Sequence, residues 1–185
     1  TYDPITLNEY GKDHTENLVF PPEVLVKPSS TDQVARILLL AQNENIPVTA
    51  IGARTGLSGG CLSVHGGIGI SMERFNKIIH IDCDNMQVVV EPGVITEELQ
   101  NEVAKDGLYY APDPASKGSC FIGGNIAENS GGPRALKYGV TKDFVLNLEV
   151  VLPDGNIIQT GANTLKNSTG YNLTQLMVGS EGTLG

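Results

Sequence analysis

Tryptophan is absent from these 185 residues, and the aromatic total is four phenylalanines and six tyrosines. The stacking platforms that hold single-stranded nucleic acid are therefore disfavoured. Basic residues are scarce too: 12 Lys and Arg face 21 Asp and Glu, a net charge of −9. Counterion release from nucleic acid or from an anionic membrane needs the opposite balance. Cysteine is limited to Cys61, Cys83 and Cys120, with no Cys-x-x-Cys spacing. That argues against a disulfide framework or a zinc site and for reduced thiols in a cytoplasmic protein. No apolar run reaches the roughly 20 residues that span a bilayer.

Glycine is plentiful and unevenly placed. Of 22 glycines, seven lie in residues 52–69 and six in 118–139. The first cluster follows a β-prone run, Pro47 to Ile51, and holds Gly52, Gly56, Gly59 and Gly60 with Thr55 and Ser58 between them. Such a loop can turn successive N–H groups inward as a cradle for phosphate. It is not a P-loop, because Cys61 and Leu62 stand where Lys and Ser/Thr would follow the last glycine. No Gly-x-Gly-x-x-Gly lies between a strand and a helix, which excludes the Rossmann turn. Two distant clusters suggest two walls around one extended ligand. With so acidic a chain, backbone dipoles rather than overall charge would hold its phosphates.

Along the chain, residues 1–20 are mixed and polar and read as an arm. Glu23–Pro28 reads as a strand. Ser30 to Gln33 has capping-box spacing ahead of Val34, Ile37, Leu38 and Ala41, which predicts a helix over 31–45. With the 47–51 strand this forms a β-α-β unit of parallel strands. Strands are expected at 69–71, 78–81 and 87–91. Thr96 reads as the cap of a helix carrying Leu99, Val103 and Ala104. A hairpin is expected from Phe144–Leu152 and Ile157–Thr160 across Pro153-Asp-Gly-Asn156, then a short helix around Leu173 to Met177. The predicted division is an arm (1–20), a first lobe (21–88) and a second lobe (89–185).

Six blocks occur in a familiar order: Ile51-Gly-Ala-Arg-Thr-Gly-Leu-Ser-Gly-Gly60, Tyr110-Ala-Pro-Asp-Pro-Ala-Ser116, Ile122-Gly-Gly-Asn-Ile-Ala-Glu-Asn-Ser-Gly-Gly132, Leu136-Lys-Tyr-Gly139, Leu148-Glu-Val-Val-Leu-Pro-Asp-Gly155 and Gly179-Ser-Glu-Gly-Thr-Leu-Gly185. Together they resemble the FAD-binding domain of FAD-linked 2-hydroxy acid oxidoreductases, among them glycolate oxidase (its D chain), D-lactate dehydrogenase and D-2-hydroxyglutarate dehydrogenase. The resemblance implies an α+β, two-lobed domain of the vanillyl-alcohol oxidase and p-cresol methylhydroxylase type, with FAD stretched between the lobes. It implies that Gly52, Ala53, Arg54, Thr55, Gly56, Leu57, Ser58 and Gly59 hold the pyrophosphate. Pro112, Asp113, Pro114 and Ser116, with Cys120, Gly123, Gly124, Asn125, Ala127, Asn129, Gly131 and Gly132, would border the ribityl chain and isoalloxazine. Gly139 joins this cofactor-binding set, and Gly161, Glu181 and Gly182 would lie towards the adenine.

Two departures from the family pattern stand out. Ile51 and Arg54 occupy places where relatives often carry Arg and Gly. Either Arg54 adopts a backbone that disfavours side chains, or its guanidinium reaches phosphate. Relatives that tether FAD use a histidine in the first loop or a cysteine in the second cluster. The first loop has no His, and Cys120 is expected to be packed, so the FAD is expected to be non-covalent. His14, His65 and His80 are expected to be structural or exposed, and no residue of 1–185 is assigned a catalytic or metal-binding role. The substrate domain is expected to lie outside this chain, leaving it inactive alone. The full-length protein would take a small 2-hydroxy acid to the 2-oxo acid, with other oxidase subunits or an iron–sulfur partner. Two alternatives remain: a flavin reductase of the same fold, like the enzyme that reduces UDP-N-acetylenolpyruvoylglucosamine, or a non-catalytic nucleotide-binding subunit.

Overall fold

The computed structural model describes residues 1–185. Its N-terminal sheet has three parallel strands in the order β1 (Val24–Val26), β3 (Ile68–Ser71), β2 (Val48–Ile51). β1 and β2 are parallel, as the β-α-β reading requires, but β3 lies between them. The connecting helix α2 (Thr31–Glu44) is capped by Ser30, whose side chain accepts from the Gln33 N–H. Gln33 Oε1 reaches the Ser29 N–H at 2.8 Å, so the box closes one residue early.

Alternation along the strands gives the sheet two buried faces. Ile68 and Ile70 join Ala41, with Ile37 and Leu38, beneath α2. Leu25 and Ile51 face the other way and pack with Tyr10 and Leu7 of α1 (Pro4–Tyr10). Burying a Leu or Ile side chain fully contributes roughly 1.5–3 kcal/mol. The arm thus contains a helix that forms the sheet's second cover. Its start signal is Asp3-Pro4: Asp3 accepts from the Thr6 N–H at 2.9 Å, and Pro4 opens the first turn.

The antiparallel hairpin of β4 (Ile78–Asp82) and β5 (Gln87–Val90) carries Ile78, Ile81, Val88 and Val90 onto a separate core. That core is built from Val94, from Leu99 and Val103 of α3 (Thr96–Ala104), and from Ile122 of α4 (Ile122–Glu128). Ile95 occupies the N-cap of α3 and makes no side-chain capping bond. This corrects the expectation for Thr96, which sits inside the first turn with its hydroxyl turned to Cys120 and Asn125. After α5 (Ala135–Tyr138), Phe144 closes a 3-10 helix, Thr141–Phe144, instead of opening a strand. The last hairpin, β6 (Glu149–Val151) with β7 (Ile157–Gln159), meets α2 through Thr31 Oγ1 and Glu149 Oε1 at 2.7 Å. Helix α6 (Leu173–Met177) follows.

Candidate functional site

The glycine loop leaves the sheet at Ile51, the carboxyl end of β2, the side on which parallel sheets form ligand crevices. Two of its residues are left-handed, Arg54 at φ +60° and Gly59 at φ +76°. Left-handed residues among ordinary ones turn neighbouring N–H groups to one side and create a seat for an anion. Of the two alternatives for Arg54, the side-chain-disfavoured backbone is the one observed. Its backbone is strained, and its guanidinium points away from the loop onto α1. Nη1 donates to the Glu9 carbonyl at 3.1 Å, and Cζ lies 4.1 Å from the Tyr10 ring centroid. The arm also straps the loop, since the His14 N–H donates to the Gly56 carbonyl at 3.1 Å.

Helix α4 and the turn at 179–182 supply the opposing wall. A Cβ on Gly56 would overlap the Glu128 carboxylate. Ser58 Oγ donates to Glu181 Oε2 at 3.3 Å. The Glu181 N–H in turn donates to the Ala127 carbonyl at 3.0 Å, and the Gly179 N–H to that of Ile126 at 2.9 Å. The two glycine-bearing segments therefore meet, with Gly182 beside them. Beyond them a cleft of about 220 Å³ runs between β2 and the Glu181–Thr183 turn, lined by Val48, Ala50, Leu62 and Val64 among others.

The remaining expected site residues lie on the flank of α4. Asn125 is buried, and its Nδ2 donates to Thr96 Oγ1 at 2.5 Å, so this amide is committed to the protein. Asn129 ends α4 in the left-handed region, and its Oδ1 accepts from the Lys142 N–H at 2.9 Å. Cys120 is 4% exposed with its sulfur 3.2 Å from Thr96 Oγ1. Gly123 packs against Pro92, and Gly131 near Ala135 and Val140. Asp113 pairs with Arg134 Nε at 3.2 Å, and the Asp113 backbone lies against Gly132. The Pro112 carbonyl accepts from Gln100 at 2.8 Å, while those of Pro114 and Ser116 accept from Lys117 and Cys120 N–H groups. Gly139 lies beside the Asp143 side chain, and the Gly161 N–H donates to Asn147 Oδ1 at 2.8 Å; no hydrogen bond joins either to the loop.

Three carboxylates, Asp13, Glu128 and Glu181, gather around the loop. Burial first, then Glu181 and Asp13, raise Glu128 above the usual carboxyl value. Burial and Asp13 push the Cys61 thiol up to about 11, so it stays protonated near neutrality. All three histidines are exposed. The sequence reading missed the part played by Tyr10, Lys27 and Glu73. Lys27 Nζ donates to Tyr10 Oη at 2.8 Å and pairs with Glu73 at 2.7 Å, which fixes α1 over the strand ends.

Bare backbone on both walls is what a dinucleotide would require. Of all the glycines, only Gly52 and Gly124 combine an ordinary φ with open space where a Cβ would stand. The fold itself needs glycine at neither position, and each glycine cluster contributes one. Such positions suit close approach by a ligand.

Comparison with known proteins agrees. The FAD binding domain family matches residues 22–161. D-lactate dehydrogenase of Anaerostipes hadrus is 49% identical over 164 residues, covering 89% of this chain and 34% of that protein. Glycolate oxidase subunit GlcD of Bacillus subtilis is 46% identical over 176 residues, covering 95% and 37%. The chain thus spans about a third of the length of these curated relatives. A solved structure of alkyldihydroxyacetonephosphate synthase superposes with a TM-score of 0.86 at 26% identity, over 100% of this chain and 35% of that one. The chain therefore belongs to the FAD-binding domain family, with FAD as its cofactor and the α+β fold of the vanillyl-alcohol oxidase and p-cresol methylhydroxylase type.

Proposed function

We propose that this chain is the FAD-binding portion of an oxidoreductase that converts a 2-hydroxy acid, such as D-lactate or glycolate, to the 2-oxo acid. The observation that carries the reading is the pair Gly52 and Gly124, bare backbone without a packing reason on two segments that meet at Gly56 and Glu128. The main-chain N–H groups of the 52–59 loop hold the diphosphate. Asp113, Pro114, Ser116 and the 120–132 segment border the ribityl chain and ring, and the Glu181–Gly182 turn lies towards the adenine. FAD, when bound, supplies the two-electron acceptor for the hydroxyl-bearing carbon. The buried sulfur of Cys120 and the absence of histidine from the loop support non-covalent attachment.

The oxidation also needs a base for the hydroxyl proton and a cation for the carboxylate. No residue of 1–185 is assigned either task, and the exposure of all three histidines accords with that. We assign both tasks to a substrate domain outside this chain. No helix is long and apolar enough to cross a membrane. The three free thiols support a cytoplasmic setting, and a relative named as a subunit supports assembly with other subunits.

The test is anaerobic mixing of the full-length protein with D-lactate and with glycolate. Loss of the flavin's visible absorption with either supports the proposal. Bleaching by a reduced nicotinamide nucleotide alone would favour a reductase. Saturable ADP binding without flavin reduction by any substrate would favour a non-catalytic subunit.

A further inference from the structure

We propose that Tyr10 and Glu9 are positioning residues for FAD binding. By holding the Arg54 guanidinium, they keep position 54 left-handed and so pre-form the phosphate seat. The inference rests on the reading above that loop 52–59 binds the FAD diphosphate.

Position 54 adopts φ +60° without being glycine. A side chain there favours right-handed and extended conformers, and either would rotate the adjoining peptide groups out of the cradle. Something outside the loop must select the observed conformer, and the Arg54 side chain shows what does. Its Nη1 donates to the Glu9 carbonyl at 3.1 Å, and Nη2 lies 3.5 Å from the Glu9 carboxylate. The Tyr10 ring lies beneath Cζ at 4.1 Å, within cation–π range.

That ring is itself fixed. Tyr10 is 8% exposed and packs with Leu25 and Ile51, the residue from which the loop departs. Its hydroxyl donates to Glu73 at 2.5 Å and accepts from Lys27 at 2.8 Å. Lys27 follows β1 and Glu73 follows β3, so the clamp is referenced to two of the three strands. Arginine at 54 thus comes with its own restraint, and a glycine there would need none.

The test is FAD titration of the full-length protein, stripped of flavin, as a double-mutant comparison. The effect of Tyr10→Leu is read in the Arg54 background and in an Arg54→Gly background. We expect about a tenfold loss of affinity in the first, roughly 1.4 kcal/mol, and less than twofold in the second. Thermal midpoints should fall alike in both, since lost packing does not depend on residue 54. Equal affinity losses in the two backgrounds would overturn the proposal. So would unchanged or tighter binding by Tyr10→Leu, which would mean that the freed guanidinium itself serves the phosphates. If Tyr10→Leu does not fold, Glu9→Ala at an exposed side chain carries the same comparison, with a threefold loss expected. Absence of saturable FAD binding by the unsubstituted protein would overturn the proposed function as well, and so separates the two failures.

Discussion

The carboxylate of Glu128, at the end of α4, lies against the Cα of Gly56 in the glycine loop and joins the two glycine-bearing segments. It has two acidic neighbours and no basic partner in the ion pairs. A carboxyl whose folded-state value is raised binds its proton more tightly when folded. Stability is then lost as pH rises from the unfolded value through the folded one. Glu128→Gln should therefore be more stable than the parent at neutral pH by a few tenths of a kcal/mol after solvent screening. The gap should close below the ordinary carboxyl range, in urea titrations at several pH values. If loop 52–59 holds the diphosphate as proposed, the same variant should bind FAD more tightly at pH 7, since one negative charge beside Gly56 is gone.

Glu73 shows the opposite sign. Burial alone would raise it, but donors from Lys27, Tyr10 and Ser71 outweigh that and hold its carboxyl below the ordinary value. Its contribution is present above the unfolded value and lost as pH falls through the folded one. Glu73→Gln should cost about 1 kcal/mol at pH 7, with the difference vanishing in acid. Thermal unfolding across pH checks both halves of this statement.

Thr96 is fully buried, and its hydroxyl accepts from Asn125 and touches the Cys120 sulfur. Thr96→Val keeps the shape and strands the Asn125 amide, a loss of about 1–3 kcal/mol. Thr96→Ser keeps the hydroxyl and should lose less. Denaturant midpoints of the two variants separate the lost hydrogen bond from the lost methyl.

Two glycine substitutions should behave in opposite ways. Gly67 stands at φ +73°, and a Cβ there would strike the Pro47 carbonyl. Gly67→Ala should destabilise by roughly 2 kcal/mol or more, since backbone strain and a clash act together. Gly124 has room and a helical backbone, so Gly124→Ala should match or exceed the parent's stability by up to about 1 kcal/mol. Its FAD affinity should nonetheless fall. Calorimetric midpoints read beside flavin titration distinguish a glycine kept for the fold from one kept for the ligand.

The strands and the longer helices were legible because apolar periodicity and caps agreed there. α2 runs over 31–44 where 31–45 was expected, and β3 to β5 sit where β-branched runs placed them. Helix α1 was hidden because its seven residues offer too few apolar positions to show a period, although Asp3-Pro4 announced it. Thr96 was misread because a hydroxyl ahead of a helix signals a cap only if it turns towards the helix, and here Asn125 draws it inward. The meeting of loop 52–60 with α4 was anticipated from glycine clustering and family order. Which side chains fix the loop was not, because Tyr10, Lys27 and Glu73 are far apart in sequence and come together only through the sheet.

The central place of β3 makes it the strand on which the whole sheet depends. β1 and β2 have no ladder between them, and β3 is the only strand with which either pairs. Without residues 68–71 neither outer strand has a ladder partner in this sheet, and α2 lacks Ile68 and Ile70 beneath it. The sheet is therefore closed by residues 68–71 alone, which sit between two strands that are distant from each other in sequence. The glycine loop spans the gap from β2 to β3, so both of its ends are anchored in adjacent strands and its shape depends on that central pairing.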